Sequence, residues 1–433
     1  MTRPPFGFGP GEGGDGDPAD PLGLGALMGS GDFLVHLKRM MSWSGGPVNW
    51  DLAREVALAA GTKDDPPLRE AEVTAVADAC RLADLWLDPV TTLTGGGGIG
   101  RAWTRATWVG ETLPAWQRLV DPVAGRVVAA FARVLEHGME GELGAAVPPE
   151  LRAVLGASGG LQGVLSQVGG MVFGAQVGQA LGALAGEVVG AADVGLPLGD
   201  TGQPALLPAN VAAFSAGLDV PPEEARLYLA LRESAAQRLF TQVPWLQSHL
   251  YDAVDAYARG IELDPVALER AVGAFDPSDP DSLQRALGEG MFDVARTPAQ
   301  EAALARLETA LALVEGWVDT VVDLAATGHL PHSAALRETV RRRRATGGPA
   351  EQTFAALVGL TLRPRRLREA ASLWAALTAG RGVAGRDAIW DHPDLLPGPA
   401  DLDDPLGFAA GSPGETPGSG TDWDAALRDL DQP

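Results

Sequence analysis

A mainly α fold is predicted for this chain, an α+β arrangement only in that one short β element precedes the helix of greatest chemical interest. Three observations carry the prediction. Apolar residues recur at three- and four-residue spacing through most of residues 31–396, the period of helices with one buried face. Strand signal is confined to "GLPLGDTGQPALLPANVAAF", where Gly-Asp-Thr-Gly predicts a turn between two short apolar runs. From Leu155 to Gly186 there is no charged residue, so this stretch must be buried in protein or in lipid.

The elements follow in order. Residues 1–30 are Gly, Pro and Asp with little to bury, and are expected to be disordered. Helical spacing then runs through "DFLVHLKRMM", "NWDLAREVALAAG", "LREAEVTAVADACRLADLWL" and "LPAWQRLVDPVAGRVVAAFARVLEHG". It resumes in "SHLYDAVDAYARGI", "PAQEAALARLETALALVEGWVDTVVDLAATG", "SAALRETVRRRRATGG" and "PRRLREAASLWAALTAGRG". One domain over residues 31–396 results, with no fixed-period repeat. Residues 397–433 are acidic and rich in Pro and Gly, and read as a disordered tail with a short helix at Trp423 to Leu430.

Within the uncharged stretch, Gly170, Gly174, Gly178, Gly182, Gly186 and Gly190 stand four apart. On a helix that spacing forms one face along which another backbone can approach closely. Each interior glycine costs about 1 kcal/mol against alanine, so tight packing must offset it. Gln162, Gln167, Gln176 and Gln179, with Glu187 and Asp193 just beyond, favour a buried central helix over a membrane span.

Composition excludes several classes. The 33 basic and 56 acidic residues leave a net charge of −23, which disfavours nucleic acid and anionic membranes as partners. The single cysteine, Cys80, excludes an internal disulfide framework or a cysteine zinc cage, and a reducing cytoplasm is the expected location. Cys80 lies on an apolar helical face and is expected in the core. No signal-peptide pattern is visible at the start. "TGGGGIG" at residues 94–100 lacks the Lys-Ser/Thr of a P-loop and reads as a flexible loop.

The chemically suggestive helix is "VPPEEARLYLALRESAAQRLF", expected to be capped by Asp219 and ended by Pro244. Leu227, Leu231, Ala235 and Leu239 form one apolar stripe. Arg232-Glu233-Ser234-Ala235-Ala236 has the frame of H-E-x-x-H. In that motif, histidines one turn apart hold zinc and the glutamate serves as general base on the metal-bound water. Both histidines are replaced, by Arg232 and Ala236. On a second predicted helix, Glu315 and Asp319 are spaced to share a face.

Nearly the whole chain resembles the zincin-like metallopeptidases common in actinobacteria, usually labelled zinc-dependent metalloproteases or hydrolases. One branch is associated with biosynthesis of a deazaflavin coenzyme. The resemblance rests jointly on "FGFG", "SGGPVNWDLAREVA", "LADLWLD", "FGAQVGQALGALAGEVVG", "LLPANVAAF", "VPWLQSHL", "LVEGWVD" and "GGPAEQTFAALVGL". It implies a zincin-like helical domain and zinc as the family's cofactor. Aligned on Phe240 and "VPWL", the family's metal positions fall on Arg232, Ala236 and Glu315, the general base on Glu233, and the residue orienting a ligand on Asp319. Because this copy has neither histidine, no cofactor is expected in it. Arg232 is expected to stand in the metal's place and pair with Glu315 or Asp319.

His249, beyond Pro244, is the histidine that could be recruited as a ligand, although a capping or core role is expected. His329 and His332 are expected along a loop, and His36, His137 and His392 stand alone. Arginines cluster at Arg337, Arg341 to Arg344, Arg363, Arg365, Arg366 and Arg368. They read either as an anion contact or as neutralising nearby acidic helices. The second is expected, because only Phe354 is interleaved with them. The chain therefore reads as a metallopeptidase-family hydrolase whose H-E-x-x-H is degenerate. The alternative is a non-enzymatic interaction protein that holds a protein or peptide partner in the former groove or on the acidic tail.

Overall fold

A computed structural model of the chain describes residues 46–139, 161–260, 297–345 and 366–411. The chain enters through α1 (Trp50–Gly61), α2 (Glu70–Leu87) and the two-residue strand β1 (Arg101–Ala102). Next come α3 (Arg105–Met139), α4 (Leu161–Ala185), β2 (Ala205–Leu206) and α5 (Pro208–Ser215). Then α6 (Pro222–Gln242), α7 (Pro244–Arg259), α8 (Pro298–Ala326), α9 (Ser333–Ala345) and α10 (Leu367–Asp387) complete the main body. Two 3₁₀ turns lead to α11 (Pro399–Asp403) and α12 (Pro405–Ala410). The mainly α fold expected from the apolar spacing is the fold observed.

The helix ends follow local chemistry. The Asn49 side chain accepts from the Leu52 amide at the start of α1, and Asp65 accepts from the Arg105 and Ala106 amides at the start of α3. Thr297 and Gln300 form a reciprocal capping box on α8. For α6 the expected cap is corrected: the helix begins at Pro222, one residue after Pro221, and Asp219 lies outside it. Proline at N1 fixes φ where no amide partner is needed, and Glu223 and Glu224 supply negative charge to the first turn.

The glycine face meets α1. A Cβ on Gly174 or Gly178 would lie 2.6 Å from the carbonyl oxygens of Asn49 and Ala53, and one on Gly182 would lie 2.9 Å from that of Ala57. Two rows spaced by four thus lie backbone to backbone. The row stops there, because α4 ends at Ala185 and Gly186 and Gly190 lie beyond it. Among the described residues, no helix is long and apolar enough to cross a membrane.

β2 lies where the β element was expected, but the pairing differs. Instead of a hairpin, β1 and β2 are parallel, with Arg101 opposite Ala205 and Ala102 opposite Leu206, and Gly190 bridges Leu206 in the antiparallel sense. The turn expected to close the hairpin is docked elsewhere: the Gly202 amide donates to Gln237 on α6 at 3.0 Å. The 94–100 loop is likewise anchored. A Cβ on Gly96 would lie 2.9 Å from the Gly202 Cα, and Arg238 donates to the Leu93 carbonyl at 3.2 Å.

Packing continues past residue 396. α11 buries Leu402, and the Asp404 side chain caps α12, so ordered packing runs to residue 411. Residues 1–30 and the possible helix from Trp423 lie outside the described residues, as do His36, Arg363 and Arg365. Helices α6 and α8 form the centre. Every residue of α6 from Tyr228 to Phe240 is buried, including Arg232, Glu233, Ser234, Gln237 and Arg238. That much buried polarity requires partners, and the partners define the site.

Candidate functional site

Arg232, Glu233 and Ala236 on α6 face the stretch of α8 that carries Glu315 and Asp319. The Arg232 guanidinium lies 2.8 Å from Glu315 Oε2 and 3.7 Å from Asp319 Oδ1. A second layer comes from α9. Arg344 Nη1 is 2.6 Å from Glu315 Oε1, and Arg341 Nη2 is 2.5 Å from Asp319 Oδ2. Both carboxylates are therefore shared between an arginine of α6 and an arginine of α9. Asp193, in the segment leading to β2, lies 3.3 Å from Arg343 and 3.8 Å from Arg344.

Glu233 stands apart from these pairs. Its Oε1 accepts from Gln237 one turn on, at 2.9 Å, and its Oε2 accepts from the Ala192 amide at 2.9 Å. Gly190 is needed here, because a Cβ at that position would lie 2.5 Å from Glu233 Oε2. Burial pushes the Glu233 carboxyl up to about 7, against the lowering effect of its hydrogen bonds. Asp193 goes the other way. Burial alone would raise it, but Arg343, Arg344 and the Val189 amide hold it below the ordinary carboxylate value. Burial works to lower the Arg232 pKa, and Glu315, Tyr228, Asp319 and Asp193 together outweigh it, so the guanidinium is more firmly protonated than usual.

These groups line a cavity of about 20 Å³, with Gly190, Ala192, Arg232, Glu233, Glu315 and Arg344 in its wall. That is room for a single water and excludes a peptide backbone.

The structure brings together Arg232, Glu233, Ala236, Glu315 and Asp319, as their spacing and the resemblance implied. It leaves His249 out. That ring packs edge-on against Trp245 at 5.7 Å, away from the residues lining the cavity, and burial lowers its pKa. His329 stacks on Trp86 at 4.4 Å, and His332 pairs with Glu224 at 3.1 Å. Sequence reasoning missed Arg341, Arg344 and Asp193 as site residues. The arginines of α9 do neutralise acidic neighbours: Arg337 pairs with Asp323 at 2.6 Å and Arg342 with Glu338 at 3.2 Å. Their three-residue spacing hinted that Arg341 and Arg344 share a face, but nothing in the sequence showed which carboxylates that face would meet.

The residues present do not fit a zinc ion. Three protein ligands are usual, and Ala236 has no donor atom. Arg232 is a permanent cation at the first ligand position. Glu315 is held at both oxygens by guanidinium groups. Among the described residues, no three His, Cys, Asp or Glu side chains are grouped to hold a metal.

Comparison with known proteins agrees with the frame. A crystal structure described as that of a "putative hydrolase with a novel fold" from Chloroflexus aurantiacus matches with a TM-score of 0.56 at 18% identity. The match covers 84% of this chain and 97% of that one, and at such identity it speaks to fold alone. No curated protein matches the chain. The family model for zincin-like metallopeptidases matches residues 48–409, which spans α1 to α12 and every residue of the site. With the motif frame on α6 and its carboxylate partners on α8 inside that match, the chain belongs to the zincin-like metallopeptidase family.

Proposed function

We propose that this protein keeps the frame of a metallopeptidase without its zinc chemistry and acts as a non-enzymatic interaction protein. The observation that carries the reading is the Arg232 guanidinium, seated 2.8 Å from Glu315 and 3.7 Å from Asp319. The resemblance puts a metal ligand of the family at position 232, and in this reading the fixed cation stands in for the metal. In this reading Glu233 is a vestigial general base. Its carboxyl retains a suitable proton affinity, but it has no metal-bound water to act on. Glu315 and Asp319 serve as ion-pair partners, and Ala236 contributes only volume.

The partner is a protein or peptide, with neither nucleic acid nor membrane involved, and the protein works in the cytoplasm. The net charge of −23 and the lone cysteine support this. The small cavity favours a contact outside the groove, and the acidic C-terminal segment is the candidate that composition supplies.

The test is elemental analysis of the full-length chain after expression in zinc-replete medium, with hydrolysis of a mixed peptide library measured with and without chelator. The expected result is no stoichiometric zinc and no chelator-sensitive cleavage. Stoichiometric zinc together with chelator-sensitive cleavage would overturn the proposal.

A further inference from the structure

The two carboxylates of α8 are engaged in a repeated pattern. Glu315 offers Oε2 to Arg232 of α6 at 2.8 Å and Oε1 to Arg344 of α9 at 2.6 Å. Asp319 has Oδ1 3.7 Å from Arg232 and Oδ2 2.5 Å from Arg341 of α9. Arg344 is fastened further, because its Nη2 donates to the main-chain oxygen of Asp193 at 2.8 Å. Arg343 beside it donates to the main-chain oxygen of Glu187. The end of α9 is therefore tied both to the carboxylates and to the segment that forms the other wall of the cavity.

Resting on the reading that zinc chemistry is lost, we infer that zinc is excluded twice, by Arg232 on α6 and independently by Arg344 on α9. A carboxylate has lone pairs to spare, so a hydrogen bond from Arg344 does not by itself prevent Glu315 from ligating a metal. Charge is what decides. The Arg344 side chain is 16% exposed against 5% for Glu315, and a guanidinium keeps its proton, so a divalent ion at Glu315 would meet an adjacent fixed cation with limited solvent screening. Restoring the two histidines removes only the first of these obstacles.

The experiment compares zinc affinity in full-length variants, by competition with a chromophoric chelator and by elemental analysis. Arg232→His with Ala236→His supplies the missing imidazoles. Adding Arg344→Gln, or separately Arg344→Met, removes the second cation while keeping most of the side-chain volume. The expected result is that either added substitution tightens zinc binding by about 10- to 100-fold over the double variant, the range typical of groups just outside a metal's ligands. Arg342→Met, on the exposed side of α9, is expected to leave the double variant's affinity unchanged.

Equal affinity in the double and triple variants would overturn the inference, and so would failure of all of them to bind zinc. Tight stoichiometric zinc in the double variant alone would overturn it even if the Arg344 variants did not fold. Each of these outcomes leaves intact the reading that zinc chemistry is lost. Stoichiometric zinc with chelator-sensitive cleavage in the unaltered chain, by contrast, would remove that reading.

Discussion

Helix α8 serves two buried arginine–carboxylate clusters on different sides, and they are built to different ends. On one side Trp317 Nε1 donates to Asp387 at 2.9 Å. Asp387 also accepts from Thr91 Oγ1 at 2.8 Å, the Thr92 amide at 2.7 Å and Arg386 Nε at 2.8 Å. Arg386 in turn donates to the Val90 carbonyl at 2.7 Å. One cation faces one anion, and the donors come from three segments far apart in the chain. On the other side, Arg232, Arg341, Arg343 and Arg344 share Glu315, Asp319 and Asp193 around a cavity, with Glu233 bonded only to neutral donors. The first cluster is a staple. The second holds more ionisable groups than a staple needs and gathers them around a cavity.

The largest effect expected from this contrast is at the staple. Asp387→Ala leaves the Arg386 charge buried without its counter-ion and strips acceptors from Thr91, Thr92 and Trp317. Removing one partner of a buried pair costs about 3–5 kcal/mol. Urea unfolding followed by tryptophan fluorescence should show a loss of that size. A loss below about 1 kcal/mol would place this pair with ordinary surface pairs and end the comparison.

Glu233 sharpens the contrast through pH. Its folded value of about 7 lies above the ordinary 4.5, so the folded state binds the proton more tightly than the unfolded chain does. The stability contributed is full below pH 4.5 and is lost as pH rises through about 7. Asp193 and Asp387 have the opposite sign. Their lowered values add stability above the ordinary 3.8 that is lost as pH falls below it. The unaltered protein should therefore be most stable in mildly acidic solution. Glu233→Gln should shrink the fall in unfolding free energy between pH 5 and pH 8 by about 2–3 kcal/mol, while leaving the acid limb in place. Parallel pH profiles for the two proteins would show that Glu233 is not the group responsible.

How much of this was legible in the sequence depends on how local each signal is. The glycine row on α4 and the frame on α6 are spacings within one helix, and helical geometry converts spacing directly into a shared face. Glu315 and Asp319 came with the resemblance and their own four-residue interval. The staple is different. Arg386 and Asp387 are adjacent on the chain, and a charged pair near a helix end reads as solvated; only the approach of residues 90–92 makes it a core feature. The β element shows the same limit. A two-residue strand has no alternation to detect, so its parallel partner, just over a hundred residues earlier, could not be found by pattern. Arg344 was visible as one of four consecutive arginines. Which of the four turned inward was set by how α9 lies across α8, and that is tertiary information.

The smallest effect tests that last division within α9 itself. Arg342 and Arg344 are two residues apart, so they point to different sides of the helix. Arg342 is 73% exposed and, among the described residues, pairs with Glu338 one turn back, whereas the Arg344 side chain is 16% exposed between Glu315 and Asp193. An exposed i,i+4 pair contributes about 0.3–0.5 kcal/mol, and salt screens most of it. Arg342→Met should therefore lower unfolding free energy by no more than about 0.5 kcal/mol in dilute buffer, and by nothing measurable in about 1 M salt, where the Debye length falls to about 3 Å. Methionine keeps the helix propensity of the position, so a propensity cost does not confuse the reading. A loss of about 2 kcal/mol that persisted in high salt would mean that Arg342 also reaches into the buried network. The arginine run would then act as a single block, and the assignment of one inward face to α9 would have to be redrawn.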